Sequence, residues 1–248
     1  MAVLKRFSIL LLTVLTIVPV VSGQSSRNND REMTVEESYL QEAVEMMIIR
    51  ETSRSDSLDQ KLLALNYIGE AIDRGNTGDE VRQALEYLAM EGLMIQGREN
   101  GRLVNNFPIA RREAAKYLGQ LGTVEAKDTL INICRYENEP MVLQEAIKSL
   151  GDIGNNDNER TVAAIVWIVN RYNSLNPDNL MALSAVDAIA KLAEKNGIKD
   201  PGAAQLLIKI ADGPYIRPVQ DKAKYVLGEL RKANAKSQQN EQNQNNQR

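Results

Sequence analysis

Apolar residues recur at spacings of three and four along most of the chain, and short breaks rich in Gly, Asn, Asp and Pro separate these stretches. This spacing places the apolar side chains on one face of an α-helix. No stretch alternates apolar and polar residues at period two for long enough to predict a strand. The pattern therefore predicts an all-α protein over residues 34–232.

Five of the predicted helices share one arrangement of residues. A small residue fills one column: Gly69, Gly119, Gly151, Ala190 and Gly228. Five positions earlier each helix has an alanine: Ala64, Ala114, Ala146, Ala185 and Ala223. A glycine inside a helix costs about 1 kcal/mol relative to alanine. Its recurrence indicates close approach of a neighbouring helix, since neither Gly nor Ala holds that helix away.

An amphipathic first helix precedes each of these second helices. The first helices are predicted at residues 35–50, 79–93, 124–136, 158–172 and 202–212. A hairpin of two such helices cannot bury its apolar face alone, whereas stacked hairpins share a continuous core. The repeat thus predicts an α-solenoid of about five helical hairpins, with residues 94–107 as an exposed loop.

The segment from Ile109 to Gly154 resembles bacterial HEAT repeats of the armadillo type, including the PBS-lyase-like subclass. The resemblance is carried by Arg111 to Gly119 (RREAAKYLG) and by the short helix that follows. It extends over residues 34–232 and implies a right-handed solenoid whose second helices line a concave face. Family members usually carry a base near the start of the second helix, and here only Lys61 and Arg111 supply one.

The two ends of the chain have a different composition. Lys5 and Arg6 precede an apolar run over residues 7–21, which is short for a membrane span of about 20 residues. Residues 1–23 are therefore predicted to be a signal peptide, with an uncleaved anchor as the alternative. Cleavage would leave an exported protein. Its preferred location is the periplasm of a bacterium, with secretion as the alternative. Residues 24–33 are predicted to be a flexible lead, and the Gln/Asn-rich tail 233–248 to be disordered.

The amino-acid composition limits the catalytic sites, metal sites and partners that the chain can have. The chain has one cysteine, Cys134, and no histidine, which excludes Cys/His zinc sites and catalytic groups that depend on histidine. The chain has a net charge of −3, whereas nucleic-acid-binding proteins usually carry an excess of positive charge. We therefore predict no catalytic residue, cofactor, metal or nucleic acid. Cys134 and Trp167 are predicted to lie in the core, and the sequence leaves the oligomeric state open.

These observations favour a scaffold or adaptor that binds a protein partner through the concave face. Two columns of the second helices are predicted to face that partner: Asn66, Lys116, Lys148, Asp187 and Tyr225, and Glu70, Gln120, Asp152, Lys191 and Glu229. Their mixed charge suits a polypeptide. Tyr67 and Tyr117 are predicted contact anchors, with packing inside the stack as the alternative. A PBS-lyase-like enzyme or chromophore-handling protein is the alternative function, and calcium binding at residues 155–159 is a third hypothesis.

Overall fold

The computed structural model describes residues 34–173 and 177–245, except for the side chains of residues 173, 196 and 236–245. The predicted signal peptide and lead lie outside the described residues. The chain divides into two units, with the boundary between Tyr39 and Leu40. In the first unit, the Thr34 hydroxyl accepts a hydrogen bond from the Glu37 amide at 3.2 Å, and the Glu37 carboxylate accepts one from the Thr34 amide at 3.0 Å. This reciprocal capping box opens the first helix.

The described residues form ten α-helices, which are α1 Val35–Ser53, α2 Leu58–Asp73, α3 Asp79–Met90, α4 Pro108–Leu121, α5 Val124–Tyr136, α6 Pro140–Ile153, α7 Arg160–Asn173, α8 Asn179–Asn196, α9 Pro201–Ala211 and α10 Arg217–Asn245. Odd-numbered helices are the first helices of five hairpins, and even-numbered helices are the second. Each helix from α3 to α10 packs against its hairpin partner. The predicted all-α solenoid is confirmed, while its right-handed sense stays a prediction.

Proline and glycine set the helix boundaries. Pro108, Pro140 and Pro201 occupy the first turns of α4, α6 and α9, where a missing amide hydrogen removes no helical bond. Gly122 and Gly154 close α4 and α6 with φ of 67° and 69°, a conformation that favours glycine. The chain can therefore reverse direction within a few residues between consecutive helices.

Packing between hairpins produces two layers. The second-helix layer contains α2, α4, α6, α8 and α10, each in contact with the next, and the first-helix layer contains α3, α5, α7 and α9 in the same order. The core lies between them. All five residues of the alanine column are fully buried, and the apolar column one position before the small residues is also buried: Ile68, Leu118, Leu150, Ile189 and Leu227.

The small-residue column lies where successive second helices meet. A Cβ at Gly151 would lie 2.7 Å from the Cα of Ala188 on α8, and one at Gly119 would lie 2.7 Å from the Cβ of Ser149 on α6. At Gly69 it would lie 2.5 Å from the hydroxyl of Tyr117 on α4. Each distance is shorter than an ordinary carbon contact. The predicted close approach between helices thus accounts for three of these glycines.

A buried lysine links the first two hairpins. Lys61 on α2 is fully buried, and its Nζ lies 2.6 Å from Oε2 of Glu91, just beyond α3. The contact is an ion pair between an ammonium and a carboxylate that is only 9% exposed. The ammonium also donates to the Ser53 carbonyl at 3.1 Å and lies 5.5 Å and 5.1 Å from the ring centres of Tyr87 and Phe107. Burial of this charge therefore depends on a complete set of partners.

Arg111 repeats this arrangement one hairpin later. Its Nε lies 2.6 Å from Oε2 of Glu137, just beyond α5, and both side chains are 2% exposed. Oε1 of Glu137 accepts hydrogen bonds from the Asn138 and Glu139 amides at 2.8 and 3.0 Å, ahead of α6. The two bases at the start of second helices are thus internal ties between hairpins, and neither is available to a ligand.

Three features differ from the sequence predictions. Inside the predicted loop, Arg98–Glu99 and Arg102–Leu103 form a two-stranded antiparallel ribbon. The tail, predicted to be disordered, has a helical backbone as far as Asn245, because the packed part of α10 provides a nucleus that Gln and Lys extend at little cost. Trp167, predicted to lie in the core, is 48% exposed, since the buried stripe of α7 runs through Val162, Ile165, Ile168 and Val169 instead. The prediction for Cys134 is confirmed, because its side chain is fully buried.

Candidate protein-binding face

The two predicted columns lie on the second-helix layer, on the side away from the core. In the first column Asn66, Lys116, Lys148 and Tyr225 are exposed, and Asp187 is half-buried. In the second column all five residues are exposed: Glu70, Gln120, Asp152, Lys191 and Glu229. Each member of the second column directly follows a residue of the small-residue column, of which Gly69, Gly119 and Gly151 lie against the next second helix. The columns consequently run side by side across α2, α4, α6, α8 and α10.

Ion pairs join neighbouring helices on this face. Asp152 on α6 pairs with Lys191 on α8, and Asp187 on α8 pairs with Lys222 on α10. All four side chains are between 38% and 45% exposed. Exposed ion pairs contribute about 0–1 kcal/mol to stability, so a partner's charged group can replace either member at low cost.

Charged residues also pair within single helices. Lys148 Nζ lies 3.0 Å from a carboxylate oxygen of Glu145, and Lys116 Nζ lies 3.9 Å from one of Glu113. The Lys116 ammonium also lies 5.6 Å from the ring centre of Tyr117. Positive and negative groups therefore alternate over the face, and no described helix presents a row of one sign there.

The structure places the two predicted tyrosine anchors partly inside the stack. Tyr67 and Tyr117 are half-buried and pack against the core, and the Tyr117 hydroxyl lies over Gly69. Burial, followed by the nearby carboxylates of Glu113 and Asp73, raises the pKa of Tyr117. The predicted alternative, packing within the stack, describes both side chains. Tyr225, which belongs to the first column, is more exposed than either, at 68%.

Side-chain oxygens of the segment 155–159 accept hydrogen bonds from other groups of the protein. The buried Lys127 ammonium donates to Oδ1 of Asn155 and to Oδ2 of Asp157, both at 3.1 Å. Oδ1 of Asn156 accepts from the Val162 amide at 3.1 Å. The hydrogen bond with Asn155 and then the Lys127 charge hold the pKa of Asp157 below its usual value. These contacts explain the cluster as a helix-start turn.

The described residues contain neither a cluster of metal ligands nor a membrane-spanning helix. Between residues 34 and 173 and between 177 and 245, no three Asp, Glu or Cys side chains come close enough to share a metal ion. In the same two stretches, none of the helices combines the length and the apolar character needed to cross a membrane.

A known protein family matches the centre of the chain. The family model for HEAT repeats matches residues 102–175, which contain α4 to α7, the stretch with the best-defined repeat in the sequence. No curated protein matches the chain. HEAT repeats generally act as protein-interaction scaffolds. The central hairpins of this chain are therefore similar to HEAT repeats.

Proposed function

We propose that this protein is an exported scaffold or adaptor that binds a protein partner through the exposed face of its second-helix layer. The observation that carries the proposal is the continuous pair of exposed columns across α2 to α10. A surface made of stacked helices offers a long contact area without an enclosed cavity, which suits recognition of another polypeptide. The protein acts by binding rather than by catalysis.

Charge supports a polypeptide as the partner. The face alternates Lys116, Lys148 and Lys191 with Glu70 and Asp152, so its potential is mixed rather than uniformly positive. A nucleic acid would require clustered positive charge to neutralise phosphates. Polar, mixed-charge surfaces around an exposed aromatic residue are typical of protein interfaces.

Site-specific crosslinking tests the face. A photoreactive amino acid is placed at Lys116 or Lys148 in intact cells, and at Gln205 on α9 or Glu99 on the ribbon as controls. We expect the first two positions to capture one common protein in stoichiometric amounts and the controls to capture none of it. Capture of that protein only from the control positions would show that the binding face is elsewhere.

Charge reversal with the captured partner provides a quantitative test. Lys148→Glu replaces a charge on the face, while Lys209→Glu makes the same change on α9, where the lysine bonds Asn170. We expect Lys148→Glu to weaken binding about tenfold or more and Lys209→Glu to leave it unchanged, as measured by calorimetry. Equal effects of the two variants would contradict the assignment.

The proposed location is the periplasm, with secretion as the alternative. It rests on the signal-like composition of residues 1–23. Fractionation of expressing cells followed by mass analysis should find the protein outside the cytoplasm, with Gln24 as its first residue. Recovery of the chain from the cytosol with residues 1–23 intact would refute the proposed export.

A further inference from the structure

A groove opens on the first-helix layer, between α5 and α7. It has a volume of about 460 Å³ and is lined by Arg135, Tyr136, Arg160, Ala163, Ala164 and Trp167. We call it the arginine–tryptophan groove. It lies on the opposite layer from the proposed binding face and shares no residue with it.

Helical spacing builds this groove. Arg160, Ala164, Trp167 and Arg171 follow each other at steps of four, three and four, so they share one side of α7. The end of α5 supplies the facing residues, including Arg135. Small alanine side chains on α7 leave space between the two helices, and the larger side chains stand at the rim.

The aromatic side chains of the groove are exposed and partly held in place. Trp167 is 48% exposed and Tyr136 is 46% exposed. The Arg171 guanidinium lies 5.5 Å from the ring centre of Trp167 and donates to Oδ1 of Asn138 at 2.9 Å. This contact orients the indole without covering it. Trp, Tyr and Arg are also the residues that most often dominate binding energy at protein interfaces.

The groove is positively charged although the whole chain has a net charge of −3. Arg160 pairs with Asp128 at 3.3 Å, and the two side chains are 50% and 42% exposed. Arg135 has no ion-pair partner among the described residues. Of the two arginines that line the groove, Arg160 is paired with Asp128 and Arg135 is not paired within the described part of the chain, which leaves an excess of positive charge beside apolar surface.

We propose that the arginine–tryptophan groove binds an acidic segment of a protein that carries an apolar side chain between its carboxylates. The carboxylates pair with Arg135 and Arg160, because a guanidinium binds a carboxylate through two parallel hydrogen bonds. The apolar side chain packs on Trp167 and the alanine floor. This apolar floor favours a polypeptide over a polyanion, whose charge is not interrupted by apolar groups.

Trp167 is the only tryptophan in the chain, so its fluorescence reports directly on the groove. The probe is an end-blocked peptide, Gly-Glu-Asp-Leu-Glu-Glu-Gly, titrated into the full-length protein. Two matched peptides replace either the four acids by lysine or the leucine by serine. We expect the acidic leucine peptide to shift the emission in a saturable way, the serine peptide to bind more weakly, and the lysine peptide to have no effect.

Charge-reversal variants complete the test. We expect Arg135→Glu to weaken binding of the acidic peptide about tenfold, as for other close charge pairs, and Arg102→Glu on the ribbon to leave it unchanged. Unchanged helical circular dichroism shows that both variants fold. The proposal is overturned if the acidic peptide leaves the emission unaltered, if Arg135→Glu binds as well as the parent, or if a single-stranded DNA decamer or anionic vesicles shift the emission as strongly at equal salt.

Discussion

Adding one methyl group to the small-residue column should stabilise the protein at one position and not at another. Both Gly151→Ala and Gly228→Ala place the new methyl group within a second helix. At Gly151 the methyl group would lie 2.7 Å from the Cα and 2.9 Å from the Cβ of Ala188 on the next helix. At Gly228 on α10 it would have no neighbour within 4 Å among the described residues, since α10 is the last second helix.

The magnitudes follow from two terms. Replacement of a helical glycine by alanine stabilises each variant by about 1 kcal/mol. Overpacking costs a further ~1–3 kcal/mol where the neighbour is backbone that cannot move aside, which applies to Gly151 alone. We therefore expect Gly228→Ala to raise the free energy of unfolding by about 1 kcal/mol. Gly151→Ala should fall below Gly228→Ala by about 1–3 kcal/mol.

Urea unfolding followed by circular dichroism measures this difference, provided that the slopes of the transitions agree. Gly69→Ala should fall between the other two, because its methyl group would meet the Tyr117 hydroxyl, the far end of a side chain that can rotate. Equal stabilisation of Gly151→Ala and Gly228→Ala would refute the close approach of α6 and α8.

Three further changes should affect stability. Glu137→Gln leaves the Arg111 charge buried without its carboxylate and should cost about 3–5 kcal/mol, measured by urea unfolding. Burial raises the pKa of the Cys134 thiol from 9.0 to about 12, so the folded state keeps its proton to higher pH than the unfolded chain. The resulting contribution to the free energy of unfolding is full below pH 9 and is lost as the pH rises towards 12. In urea unfolding at a series of pH values, Cys134→Ala should abolish this part of the decrease in the free energy of unfolding with pH. Lys191→Ala breaks only the exposed pair with Asp152 and should change the free energy of unfolding by less than about 1 kcal/mol.

The repeat made the helices and their layers predictable. The helix predicted at residues 124–136 is observed as Val124–Tyr136. The one predicted at residues 79–93 ends at Met90, because the following Gly92 has a φ of 76° that no helix continues. Periodic burial therefore located each element, and backbone conformation at single glycines decided where it stopped.

The ribbon could not be predicted from the hydrophobic pattern, because its strands are too short to show an alternation of apolar and polar residues. Arg98–Glu99 and Arg102–Leu103 contain two residues each. The signal was the Asn100-Gly101 turn, whose φ angles of 48° and 82° join strands in a tight hairpin. A local turn signal was thus more informative than the hydrophobic pattern.

The candidate sites were less predictable than the fold. Helical spacing predicted two columns of surface residues on the second helices, and their side chains are exposed except for the half-buried Asp187. It did not show that Tyr117 turns inwards over Gly69, which depends on the distance between two helices. Nor did it pair Lys61 with Glu91, since these residues lie on different hairpins and meet only through packing. The apolar neighbours of Trp167 suggested burial, although the buried stripe of α7 excludes its position.

Distances between spin labels test the central claim that successive second helices stack in chain order and display one continuous face. Labels are attached to cysteines introduced in pairs at Gln120, Asp152, Lys191 and Glu229, while the buried Cys134 stays unlabelled in the folded protein. Measured from Gln120, the distance should grow in order to Asp152, Lys191 and Glu229, by about 8–10 Å per helix. A distance from Gln120 to Glu229 no longer than that to Lys191 would contradict the stack.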